Sequence, residues 1–99
     1  MPGPSFTFDA EIWVNPGEAG WHFVTMPADV ADEVRARTAG ERPFNSVPVT
    51  VTVGGTSWET SLFADRTSES YLLPLKAEAR RAERVAAGDR VTVTVSLRD

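Results

Sequence analysis

The chain has 99 residues, 41% of them hydrophobic and 24% charged, with a net charge of −4. That length makes one domain, residues 1–99, able to bury roughly 65% of its unfolded surface, and the composition is globular rather than disordered. No cysteine occurs, which excludes disulfides, thiolate nucleophiles and cysteine metal sites, and a pI near 4.9 disfavours nucleic acid as a partner.

The opening MPGPSFTFDAEIW lacks the basic region and apolar run of a signal peptide. No apolar stretch reaches the roughly 20 residues of a membrane helix, so the expected location is the cytoplasm, with no membrane contact. Phe6, Phe8, Ala10, Ile12 and Val14 alternate with Thr7, Asp9, Glu11 and Trp13, the period of a strand. Asn15-Pro16-Gly17 breaks the run, and Trp21 to Met26 reads as the return strand of a hairpin.

From Pro27 the pattern turns helical. Asp29, Asp32 and Glu33 crowd the first turns, Arg35 and Arg37 the end, and Gly40 is the expected C-terminal cap. Its apolar stripe, Val30, Ala31 and Val34, is narrow enough to predict a helix lying across a barrel mouth. Val47 to Val53 alternates with Pro48, Thr50 and Thr52, Gly54-Gly55 suits a two-residue hairpin turn, and Trp58, Thr60 and Leu62 share one face of the next strand. After the polar loop ADRTSES, Tyr71 to Leu75 is a short apolar strand whose Pro74 marks an edge or an end.

The second helix is expected from Lys76 to Ala87, with Leu75, Ala79, Ala82 and Ala86 facing inward and Gly88-Asp89 ending it. Val91, Val93, Val95 and Leu97 then alternate in the last strand. The sum is a mainly β fold: a small closed antiparallel barrel of six strands with two short helices, closure removing exposed edges.

Charge is distributed unevenly. From Met1 to Glu41 there are seven acids against Arg35 and Arg37, and from Tyr71 to Arg98 six bases against Glu78, Glu83 and Asp89. On a helix, Lys76, Arg80 and Arg84 fall one turn apart, and like charges at that spacing repel. Asp9, Glu11 and Glu59, on the polar faces of strands, are the carboxylates expected to dock this stripe through two-pronged arginine pairs. A bound anion is the functional alternative.

No motif implies a cofactor. One histidine and no cysteine cannot build a usual zinc site. The DRTSES loop lacks the glycine of a calcium loop, and VGGTSW has no lysine after it and so is no phosphate loop. No G-x-S-x-G elbow surrounds a serine. A triad of Ser61, His22 and Asp9 would have to assemble in space, and an isolated strand histidine is more often structural. Among the aromatics Trp13, Trp21, Trp58, Phe63 and Tyr71, core filling accounts for most. Trp13, out of phase with Phe6, Phe8 and Ile12, is a candidate for a ligand groove.

The segments FDAEIW, GWHFVTMP, PVTVTVGGTSWETSLF and YLLPLKAEARRAERVAAGDRVTVTV together resemble the bacterial family of domain of unknown function 1905. That resemblance implies a small β-barrel, similar to the swapped-hairpin barrels of some bacterial transition-state regulators and antitoxins, and no established enzymatic activity. It places the family's lysine-then-arginine pattern on Lys76 and Arg80 and its tryptophans on Trp21 and Trp58. It also raises the expectation of a homodimer, and of a second domain, carried by related proteins, that would here be a separate protein.

The expected function is a non-catalytic binding or interaction module for an anionic small molecule or a protein partner. Its candidate residues are Lys76, Arg80, Trp21, Trp58 and Trp13, with no metal and no cofactor. The alternatives are a small hydrolase or isomerase using His22 with a carboxylate, and a swapped-hairpin dimer that binds nucleic acid.

Overall fold

A computed structural model describes residues 3–17, 20–38 and 46–98. Its elements in chain order are β1 (Ser5–Glu11), β2 (Trp13–Val14), β3 (His22–Thr25), α1 (Ala28–Thr38), β4 (Ser46–Val53), β5 (Thr56–Asp65), β6 (Ser70–Pro74), α2 (Ala77–Glu83) and β7 (Arg90–Leu97). All seven strands form one antiparallel sheet in the order β1-β7-β4-β5-β6-β3-β2. The fold is thus mainly β, but it is an open half-barrel of seven strands and not a closed barrel of six.

The extra strand comes from a break at Ile12. Its N–H donates to Asp89 O (2.8 Å) and its carbonyl accepts from Gly88 N (2.8 Å), so its backbone stays on the β7 side. The chain then swings across to pair Trp13 with Phe23 and Val14 with His22. The expected first hairpin is therefore only two pairs long, and the two ends of the sheet are joined through Ile12 rather than through a ladder.

The alternating valines do what their period dictates. Val47, Val49, Val51 and Val53 of β4 and Val91, Val93 and Val95 of β7 are buried, with Phe8, Ile12, Val24, Leu62, Leu73 and Leu75 completing the core. Val14, expected inward, is exposed, because the phase changes at Ile12. From α1 only Ala31 and Val34 are fully buried, which matches its narrow stripe; its expected cap Gly40 lies outside the described residues. Ser70, the one buried polar side chain among the described residues, donates to Met26 O at 2.6 Å, so its burial leaves no orphan group.

The second helix is shorter than its sequence suggests. Lys76 is extended (φ −69°, ψ 155°) and Arg84 is left-handed (φ 56°), so neither belongs to the helix. Arg84 N donates to Arg81 O and Val85 N to Arg80 O, the paired bonds of a Schellman turn. Ending there lets Val85 pack against the core. Of the expected inner stripe, Leu75 and Ala79 are buried, while Ala82 and Ala86 are exposed. The predicted stripe of three cations on one helix face therefore does not exist.

Candidate functional site

A cleft opens where β5 and β6 part. They pair only at Phe63–Leu72, Ala64–Tyr71 and Asp65–Ser70, whereas β6 keeps company with β3 through Leu75 N to His22 O (2.9 Å). Tyr71 O and Leu75 N both face β3, and alternation turns the backbone of Pro74 the other way, towards β5. Proline has no N–H to donate there, and the ladder stops. On β5, Trp58, Glu59 and Thr60 pair with β4 on one edge and have no β6 partner on the other.

The resulting space measures about 340 Å³, within the range of small-molecule sites. Lys76, Arg80, Trp21, Trp58, His22 and Glu59 are among its lining residues. Four of the five candidate binding residues are thus brought together, although Lys76 gets there from the extended residue before α2 and Arg80 from the fourth residue of the helix, not as a helical stripe with Arg84. Trp58 is 9% exposed and forms an inner wall, while Trp21 is 56% exposed at the mouth. Trp13 does not line the cleft. It packs on Phe23 (centroids 5.1 Å), donates its indole N–H to Thr25 Oγ1 (3.0 Å), and Phe23 in turn stacks on Trp21 (6.1 Å, 18°).

Arg80 is held at two points. Its Nε donates to Leu75 O (3.1 Å) and its Nη1 meets His22 Nε2 at 3.3 Å. A guanidinium only donates, so Nε2 is the acceptor and the ring proton sits on Nδ1, which donates to Gly20 O (2.8 Å). Among the described residues no carboxylate lies within salt-bridge distance of Arg80 or Lys76. None of the expected docking acids reaches the two cations: Glu59 Oε1 lies 3.4 Å from Arg98 Nη2, Asp9 accepts from Thr92 Oγ1 (2.6 Å), and Glu11 sits opposite Arg90 across β1 and β7. The helix is docked by Ala79, Val85 and the Thr56–Glu83 hydrogen bond (2.5 Å).

The triad of Ser61, His22 and Asp9 is not assembled. Both nitrogens of His22 are bonded to Gly20 and Arg80, and Ser61 stands on β5 opposite Pro48. Among the described residues no three His, Asp or Glu side chains converge as metal ligands would, and no helix is long and apolar enough to cross a membrane. His22 as a partner of Arg80, and Glu59 at the rim, were not legible as site residues. The alternation that put Glu59 on a polar face says nothing of where β6 departs.

A second depression at the far end of β5 is lined by Arg35, Asp65, Arg66 and Glu69. There Arg35 is tied to Asp32 (2.9 Å), to Glu69 O (3.0 Å) and to the face of Tyr71 (5.8 Å). Arg35 is already occupied, and Asp65 and Glu69 stand beside the remaining cation, Arg66, so that depression offers less to an incoming anion than the cleft does.

Fold and site together define an open antiparallel half-barrel with a cationic, aromatic-walled cleft where two neighbouring strands separate. The chain belongs to the family described as domain of unknown function DUF1905, whose model matches residues 8–95. No curated protein matches it. The family match spans every element that builds the cleft, from Trp21 to Arg80.

Proposed function

We propose that this domain is a non-catalytic binding module whose cleft between β5, β6 and α2 takes an anionic ligand. One observation carries the reading: Lys76 and Arg80, without carboxylate partners among the described residues, share the cleft with Trp21 and Trp58. Guanidinium and ammonium groups beside an apolar wall strengthen their hold on an anion, because the wall lowers the local dielectric. The net charge of −4 and the presence of Glu59 favour a small anion over a nucleic acid. A hydrolase using His22 has less support, since a general base needs a ring nitrogen free to take a proton.

The test is a thermal-shift screen against anionic metabolites, nucleotides and acidic peptides, run on the wild type and on Lys76→Glu. A ligand at a hundred times its dissociation constant adds about 2.7 kcal/mol, which in a domain of this size raises Tm by about 10 °C or more. A shift in the wild type that disappears in the exposed Lys76→Glu variant supports the site. Equal shifts in both proteins would move the anion site elsewhere.

A further inference from the structure

We infer that the ligand of this cleft is a compound bearing a single carboxylate on a flat aromatic body; this rests on the anion-binding reading above and narrows it to a class. Three observations lead there.

The first is the state of Arg80. With Nε on Leu75 O and Nη1 on His22 Nε2, the guanidinium plane is fixed, and Nη2 has no hydrogen-bond partner among the described residues. A fixed planar edge with donors still free matches a planar, two-oxygen acceptor. His22 is then a positioning residue: it orients the guanidinium without itself meeting the ligand's charge.

The second is charge. Lys76 and Arg80 face the cleft together with Glu59. The Glu59–Arg98 pair is long and largely exposed, hence well screened, so Glu59 still presents an anion at the rim. One negative charge is what that set accommodates. A phosphate dianion would have to sit beside the Glu59 carboxylate.

The third is the aromatic ladder. Trp21 stacks on Phe23, Phe23 packs at a tilt on Trp13, and Trp13 is fastened by its bond to Thr25. An indole 56% exposed yet buttressed from behind is a rigid flat wall, the surface on which a ring stacks at little entropic cost. Trp58 and Leu75 supply the apolar interior. A volume of about 340 Å³ holds one or two rings with a short acidic side chain. The same chemistry could be presented by a free aromatic acid or by the C-terminal carboxylate of a chain ending in an aromatic residue.

The experiment follows the indole N–H and arginine Nε–H signals by NMR while five probes are titrated: indole-3-acetate, indole-3-acetamide, acetate, phenyl phosphate and an N-acetylated tripeptide ending in tryptophan. Indole-3-acetate is expected to move the signals of Trp21, Trp58 and Arg80. Its affinity should exceed that of the neutral amide and that of acetate by about tenfold each, since each lacks one of the two recognised groups. Trp21→Leu, at an exposed position, should lower the affinity for indole-3-acetate several-fold and leave acetate unchanged. Trp13→Leu should do the same to a smaller degree. His22→Phe should weaken every carboxylate while the fold persists by circular dichroism.

Equal binding of acid and amide, or of acetate and indole-3-acetate, overturns the class. Tighter binding of phenyl phosphate also overturns it while leaving the anion site standing. No binding of any anion to the folded protein overturns both readings. If the class holds, a preference for the tripeptide identifies a chain terminus as the source of the carboxylate, and a preference for the free acid identifies a metabolite.

Discussion

Gly54 shows how much a single residue can be asked to satisfy. It turns the β4–β5 hairpin with φ +58°, and a Cβ there would run into the Glu83 carboxylate, which accepts the Thr56 hydroxyl. The turn and the docking of α2 therefore meet at one missing side chain. Gly54→Ala should cost about 1–3 kcal/mol in urea denaturation, whereas Gly55→Ala, with open space around it, should change stability by less than about 0.5 kcal/mol. Similar values for the two would dissolve the link to Glu83. Asp65 makes a second prediction at this scale. The Ser68 hydroxyl (2.7 Å) and backbone N–H (3.0 Å) donate to its carboxylate and hold it below its usual value of 3.8. A carboxyl lowered in the folded state stabilises fully above its unfolded pKa, and that contribution is lost as pH falls from there through the folded value. Stability measured from neutral pH into acid should thus fall less steeply below about pH 4 in Asp65→Asn than in the wild type.

Among the elements, α2 is the one whose extent decides the site. Leu75, Ala79, Ala82 and Ala86 promise a helix of three turns, but the period alone cannot say which apolar residue the core will take next. Here it takes Val85, and reaching it requires the chain to reverse at Arg84. A left-handed arginine costs roughly 1–2 kcal/mol over a glycine. Arg84→Gly is accordingly expected to raise stability by about 1 kcal/mol, read as a higher urea midpoint at unchanged slope; a loss of stability would show that the Arg84 side chain contributes more than its backbone strain. The reversal also removes Arg84 from the line of Lys76 and Arg80. What reads in one dimension as a cationic stripe becomes two cations at a cleft. Pro74 acts at the same scale: its missing N–H was legible as the end of a ladder, yet not which ladder would end.

For the whole molecule the decisive fact is that β7, last in sequence, lies between β1 and β4. Five of the seven strands, β1, β3, β4, β6 and β7, pair with a partner far along the chain, so the domain is expected to fold on the millisecond-to-second scale of non-local β topologies. The two ends of its sheet meet without a ladder at Ile12, 1% exposed and bonded at both backbone groups to the turn at Gly88-Asp89. Ile12→Ala should cost about 2–5 kcal/mol, and hydrogen exchange should show β2 and β3 losing protection more than β4 and β5. Uniform loss across the sheet would mean that the joint is not a local weak point.

Period and turn chemistry, both written within a few residues, were enough to determine the strands from β3 to β7, the hairpin at Gly54-Gly55, the narrow face of α1 and the inward valines of β4 and β7. Helical spacing of the cations singled out Lys76 and Arg80, and the family resemblance added Trp21 and Trp58. Only the tertiary structure decided that the run from Phe6 to Val14 breaks at Ile12, that the barrel stays open, that α2 stops at Glu83, and that Trp13 packs on Phe23 instead of lining the cleft. The break and the open edge depend on which distant backbone group completes a hydrogen bond, Asp89 for Ile12 and His22 for Leu75, and the other two on which side chain the core or a neighbouring ring takes. Local pattern carries the direction a side chain faces; it carries no information on the partner waiting there.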